Sequence, residues 1–356
     1  KKFISMNKTF HSVNKLLTSH PFLVISLLAL LLASCGSEKK SRDQFFLKGN
    51  MQLQDRNYKQ AIYYYNEAIL KDDSFKLAYN NKGIALHSIG QYAEAIREYE
   101  MAIGIDSSYT DAVYNRALSY LSLKRYERSL EDLDRVKTVY PDSAYVFFTR
   151  GLAYAALHNH QQAINELNQA IELNPNNAEA YANRGSLFYE EGAYNKAIDD
   201  LENAIRIDPN LADAYNSLAL AYTDTRRFVK AQKMFEEAFR LKPYEAYYLN
   251  NRGYFHLFNE ELTKAEEDIS TSLRLDPDNP YALRNKALLY LKKNEADSAL
   301  QVLLPITKTE NHVRKLYTYL GKAYQQAGKL NEACEAWKKA MEKNEPDTAD
   351  LDMSKC

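Results

Sequence analysis

The sequence is poor in the residues that announce chemistry. It holds three cysteines and seven histidines in 356 residues, none paired at metal-ligand spacing, so no metal site is indicated. Its eleven glycines form no phosphate-cradling loop, and no serine sits in a nucleophile elbow. His158 and His160 lie two residues apart without a carboxylate or thiol at matching spacing, which reads as a surface turn. No surplus of basic charge exists either. The net charge of −1 becomes about −5 once residues 1–34, with four lysines and no acid, are set aside. Without a basic stripe to neutralise phosphates, nucleic acid is excluded as a partner. There is no low-complexity stretch and no linker long enough to separate domains. The apolar run Phe22–Ala33 is too short to span a bilayer comfortably. No enzyme activity, cofactor or catalytic residue is expected.

What is there is a period of 34 residues, unbroken from Arg42 to Asp347. Nine frames tile that stretch: 42–75, 76–109, 110–143, 144–177, 178–211, 212–245, 246–279, 280–313 and 314–347. Place 8 of each frame reads Gly49, Gly83, Ala117, Gly151, Gly185, Ala219, Gly253, Ala287 and Gly321. Place 20 is alanine in eight frames and Ser129 in the other. A strict period of this length means one supersecondary unit stacked on copies of itself. Places 4, 8 and 11 form one stripe of a first helix, and places 20, 24 and 27 the matching stripe of a second. Small residues at 8 and 20 let the two backbones approach, while bulky ones at 4, 11 and 24 fill the space. Pro141, Pro175, Pro209, Pro243 and Pro277, all at place 32, close the second helix. Gly90, Gly192 and Gly328, at place 15, suit a left-handed cap between the paired helices. Of the 28 tyrosines, most fall at places needing a large flat packing residue.

Frame five carries Tyr181, Gly185, Phe188, Gly192, Tyr194, Ala197, Leu201, Ala204 and Pro209. On these residues the chain resembles the tetratricopeptide-repeat family, over nearly all of its length. The resemblance implies an all-α solenoid, a right-handed superhelix of nine helix-turn-helix units with eighteen helices. Pro305, inside the second helix of frame eight, should end that helix early or kink it near Leu304, and make the junction of frames eight and nine the softest point.

Ahead of the array, Lys1, Lys2, Lys8 and Lys15 precede the apolar run, with Met6 read as the start. The pattern predicts a signal peptide over residues 1–34. Leu32-Ala33-Ser34-Cys35 resembles the lipobox of bacterial lipoproteins, which implies cleavage before Cys35 and acylation of that residue. Residues 35–41 would then be a lipidated tether holding the array at a membrane. Gly36 after the cysteine implies, by resemblance to well-studied sorting systems, the outer membrane facing the periplasm. Cys334 and Cys356 remain, and either form a disulfide or stay as two thiols. Residues 348–356 are a tail that caps the array if Leu351 and Met353 fold back onto it.

Place 7 tends to be cationic where place 23 is acidic: Lys82 with Glu98, Arg116 with Asp132, Arg150 with Glu166, Arg184 with Asp200, Arg252 with Asp268, while Lys48 with Tyr64 and Lys286 with Val302 break the rule. Leu218 and Leu320 at place 7 meet Met234 and Ala336 at place 23. The two places should touch across each helix pair. The remaining face of the first helices, which lines the inner groove in this family, carries Asn81, Asn115, Asn183, Asn251 and Asn285 at place 6. An amide matches a peptide group whatever its side chain, so this ladder either grips an extended backbone or satisfies the neighbouring repeat. Tyr114, Tyr145, Phe148, Tyr189, Tyr254, Phe258 and Tyr281 occupy other inner places and are candidate aromatic anchors. The expected function is a membrane-anchored scaffold for protein or extended-peptide partners in the cell envelope, akin to adaptors of peptidoglycan enzymes, pilotins and outer-membrane assembly factors. The alternative is a small-ligand or glycan receptor using the aromatics.

Overall fold

A computed structural model describes residues 39–309, 313–346, 348, 351, 353 and 356. The expected signal peptide and Cys35 lie outside the described residues. Among those described there are eighteen helices and no strand. The first helices of the frames are α1 (residues 39–54), α3 (Lys76–Ser88), α5 (Thr110–Ser122), α7 (Ala144–Ala156), α9 (Ala178–Glu190), α11 (Ala212–Asp224), α13 (Ala246–Phe258), α15 (Pro280–Lys292) and α17 (Leu316–Gln326). The second helices are α2 (Tyr58–Lys71), α4 (Tyr92–Ile105), α6 (Tyr126–Val139), α8 (His160–Leu173), α10 (Tyr194–Ile207), α12 (Phe228–Leu241), α14 (Leu262–Leu275), α16 (Ala296–Ile306) and α18 (Leu330–Glu342). The architecture is an all-α helical repeat solenoid. Two compact units divide it, one up to Arg135 and one from Val136 onward, the boundary falling within α6.

Each pair closes the same way. The residue at place 15 adopts a positive φ in all nine frames, and the amide of place 16 donates to the carbonyl of place 11, as Gln91 does to Leu86 at 3.0 Å. This is a Schellman-type cap. Only Gly90, Gly192 and Gly328 meet it without steric cost. Arg56, Lys124, His158, Arg226, Glu260 and Asn294 are held there as non-glycines, with φ near 60°. The second helices α6, α8, α10, α12 and α14 each end two residues before a place-32 proline. At place 31, Asp72, Asp106, Asn174 and Asp208 accept from the amide two residues on, forming turns that lead into the next frame.

Packing follows the small-against-large rule. The place-20 alanines and Ser129 are fully buried, as are the place-24 residues Tyr65, Tyr99, Leu133, Leu167 and Leu201 and their later counterparts Phe235, Ile269, Leu303 and Trp337. Each such large side chain contributes about 2–3 kcal/mol of hydrophobic stabilisation. At Gly83 the approach is so close that a Cβ would lie 2.5 Å from the Tyr99 ring. Buried Ser129 keeps its hydroxyl satisfied by donating to the carbonyl of Ala117 at 2.9 Å. All five place-7 to place-23 ion pairs form, at 2.7–3.0 Å.

In the second unit, consecutive first helices α7 to α17 pack against one another and build one continuous face. The ninth frame departs from the period. α16 stops at Ile306 with Pro305 in its last turn, and α17 starts only at Leu316. The orphan amides of α17 are met from the far end of the frame: buried Glu345 accepts from the amides of Tyr317 and Thr318 at 3.0 and 2.9 Å. A disulfide joins Cys334 to Cys356, with Cα atoms 5.5 Å apart, and Leu351 and Met353 pack against Ala333 and Trp337.

Candidate functional site: the amide ladder and a basic cavity

The place-6 asparagines are wired from frame to frame. Asn115, Asn251 and Asn285 each donate their side-chain N–H to the amide oxygen of Asn80, Asn216 and Asn250, at 3.0, 3.2 and 2.7 Å. The partner is always place 5 of the preceding frame, 35 residues back. Asn80 and Asn250 in turn donate to Asn81 and Asn251. Asn81 donates to Asn50 at 2.9 Å, which also accepts from the Tyr65 hydroxyl. Asn183 is the exception. Place 5 of its preceding frame is Phe148, so its amide donates to the carbonyl of Glu179 in its own helix, at 2.8 Å. Asn81, Asn115, Asn183 and Asn251 remain half-buried, whereas Asn285 is fully buried. As a direct ligand contact Asn285 is therefore ruled out; it holds two frames together. The buried place-5 asparagines Asn80, Asn216 and Asn250 were missed from the sequence, although the 35-residue offset pairs each of them with a place-6 amide.

The aromatic candidates separate into two groups. Tyr145 is 68% exposed, and Tyr114, Phe148, Phe258 and Tyr281 are half-buried. Tyr189 and Tyr254, expected as open anchors, are instead buried, at 7% and 2% exposure, with their hydroxyls bonded inside the fold. Burial raises both phenols far above the usual tyrosine range.

What buries them is a segment of the ninth frame. Val313, Arg314 and Lys315 precede α17 as a strap instead of a helical turn, with Lys315 in the left-handed region at φ 60°. Arg314 donates to Tyr189 Oη at 3.1 Å, Tyr194 Oη at 2.7 Å and Asp224 Oδ2 at 3.0 Å. Its guanidinium lies 4.3 Å from the Tyr189 ring centre. Lys315 Nζ donates to Asp224 Oδ1 and Tyr254 Oη, at 3.1 and 3.2 Å, and Tyr254 donates to Asp224 at 2.7 Å. Burial alone would raise the Asp224 carboxyl, but Lys315 and Arg314 overcome it and hold it at about 2. Arg314 is thus held in a buried charge cluster by partners 90 to 125 residues away in sequence, which leave no local trace.

Beside the strap lies a cavity of about 340 Å³ whose walls include Ser217, Asn251, Tyr247, Tyr281, Arg284 and Arg314. Arg284 is 6% exposed; it bonds the amide oxygen of Asn285 through Nε and Nη2, at 3.1 and 2.7 Å, and the carbonyl of Arg314 through Nη1 at 2.7 Å. A larger space of about 620 Å³ lies where Pro346 and Val313 approach His158 and Glu190. Among the described residues no cluster of histidine, cysteine and carboxylates could hold a metal.

Comparison with known families fits this architecture. Models described as TPR repeat match residues 83–123 and 185–225, and models described as tetratricopeptide repeat match 117–182, 166–199, 216–280 and 256–304. The chain belongs to the tetratricopeptide-repeat family. No curated protein matches its sequence. Among solved structures, this tetratricopeptide-repeat chain is similar to the APC/C hetero-tetramer Cut9–Hcn1, with TM-score 0.55 and 13% identity over 88% of this chain and 76% of that one; the likeness is one of fold. It is also similar to YrrB, described as a TPR protein with an unusual peptide-binding site (23% identity, TM-score 0.42, 53% and 97% covered). A third is pilF of Pseudomonas aeruginosa (19% identity, TM-score 0.43, 70% and 99% covered). The fold is that of a repeat scaffold.

Proposed function

We propose that this tetratricopeptide-repeat chain is a non-catalytic, lipid-tethered adaptor of the cell envelope, acylated at Cys35 and holding protein or extended-peptide partners on the face of its first helices. The outer membrane facing the periplasm is the proposed location. The observation that carries the partner-binding half is the half-buried amide ladder. Asn81, Asn115 and Asn251 each spend one N–H on a neighbouring frame and are only half-buried, which leaves a second N–H for a partner. The anchoring half is supported by the lipobox-like sequence before Cys35. No helix among the described residues is long and apolar enough to cross a membrane.

Affinity purification from detergent-solubilised envelope, read by mass spectrometry, tests the reading. Asn183→Ala breaks no bond between frames, so it should weaken partner capture while leaving the melting temperature unchanged. Asn115→Ala should lower both. Partners retained at full strength by both variants would remove the ladder from the binding surface. Cys35→Ser should release the protein from the membrane fraction. A second reading, a receptor for a small ligand, is favoured by the cavity beside the strap.

A further inference from the structure

Arg284 poses a problem of charge. It is nearly sequestered from water, yet three of its five N–H donors go to an amide oxygen and a backbone carbonyl, and the groups stacked near it are the neutral rings of Tyr254, Tyr281 and Tyr319. Among the described residues no carboxylate lies within ion-pair distance of it. A buried cation without a counter-charge is strongly unfavourable. The other guanidinium in the same cavity is short of a partner as well: Arg314 Nε is buried and makes no hydrogen bond. Asp224 already serves Arg314 and Lys315, and Glu190, half-buried, sits at the cavity rim without an ion pair to Arg284.

We infer that the cavity beside the strap is a binding site for a small carboxylate-bearing sugar, a uronic acid, whose acid group balances Arg284. This inference rests on the small-ligand reading above and goes beyond it by naming the ligand. Three cations, Arg284, Arg314 and Lys315, stand against two carboxylates, Asp224 and the rim Glu190, which leaves a surplus of one positive charge. A monoanionic carboxylate matches it, whereas a phosphate monoester with nearly two charges overshoots. A carboxylate also fits the planar guanidinium fork. The volume of about 340 Å³ falls at the lower end of small-molecule sites. Its other walls suit a ring carrying hydroxyls. Half-buried Asn251, Ser186 and Ser217 offer donors and acceptors, and exposed Tyr247 offers an aromatic face. Leu220 is the one aliphatic side chain among the described lining residues, so an apolar ligand would find little to bury against.

The test titrates the purified full chain with D-glucuronate and with D-glucose, which differ at the carboxylate, and follows heat and melting temperature. Glucuronate should bind at least about tenfold more tightly than glucose, the worth of one charge-assisted hydrogen bond. Arg284→Gln should abolish that preference. Should Arg284→Gln fail to fold by circular dichroism, Ser217→Leu decides instead: it fills the cavity without touching the charge cluster, and it should abolish glucuronate binding with the fold intact. Equal binding of the two sugars would overturn the inference while leaving a small-ligand site standing. Absence of glucuronate binding, or binding unchanged in the variants, would overturn it outright.

Discussion

Asp224→Asn changes a carboxylate to an amide of the same shape at the centre of the strap. The Asp224, Arg314 and Lys315 side chains are 4–6% exposed, so water cannot take over the lost charge. Arg314 keeps its bonds to Tyr189 and Tyr194, but both cations lose their counter-ion. Breaking one side of a buried ion pair costs about 3–5 kcal/mol, against about 5–15 kcal/mol for a whole domain. The wild-type group adds a pH signature. Its folded carboxyl titrates at about 2, below the ordinary 3.8, so the unfolded chain takes up the proton first. Its stabilisation is complete above about pH 4 and is lost as pH falls toward 2, a change of about 2 kcal/mol. Urea denaturation at pH 7 and from pH 4 to 2 reads both effects. Hydrogen exchange adds locality, since a repeat array opens piecewise. The variant should lose 3–5 kcal/mol at pH 7, lack this acid component, and exchange faster at the amides of α17. Stability within 1 kcal/mol of wild type, with the acid slope retained, would refute the assignment of the strap to this cluster.

Three further outcomes can be checked by the same denaturation assay. Gly83→Ala places a methyl 2.5 Å from the buried Tyr99 ring and should destabilise by about 1–3 kcal/mol. Lys124→Gly relieves a non-glycine held at φ 58° and should stabilise by about 1 kcal/mol, the left-handed penalty net of glycine's entropy. Reducing Cys334–Cys356, or replacing both with alanine, reopens a loop spanning 22 residues and should cost about 3 kcal/mol; an unchanged melting temperature under reductant would contradict this.

The repeat itself was legible because its determinants are local and recur in phase. A glycine or alanine at place 8, its large partner at place 24 and the charge pair at 7 and 23 are each visible as a fixed offset, and the structure joins them. The left-handed caps were legible only where glycine marks them. At Arg56, Lys124, His158, Arg226, Glu260 and Asn294 the turn geometry imposed by the two helices overrides side-chain preference. The groove was misjudged where a later frame returns to cover an earlier one. Tyr189 and Tyr254 sit on the face predicted to be open, and nothing periodic in the sequence signals that Arg314 and Lys315 reach them. Asn285 was misplaced for the related reason that its partner, Asn250, is set by contact between frames.

The two kinds of polar wiring give the array different tolerances to a change in length. Each 7–23 pair is closed inside one frame, so copying or deleting a whole frame strands no charge, and the place-5 to place-6 amide bonds can re-form between new neighbours. Growth by duplication is in that sense electrostatically free. The bond from Arg314 to Asp224, spanning 90 residues, is not. It measures the distance from frame six to frame nine, and one frame more or less between them would leave a buried arginine facing the wrong helix. The chain thus carries an internal ruler over its last four frames.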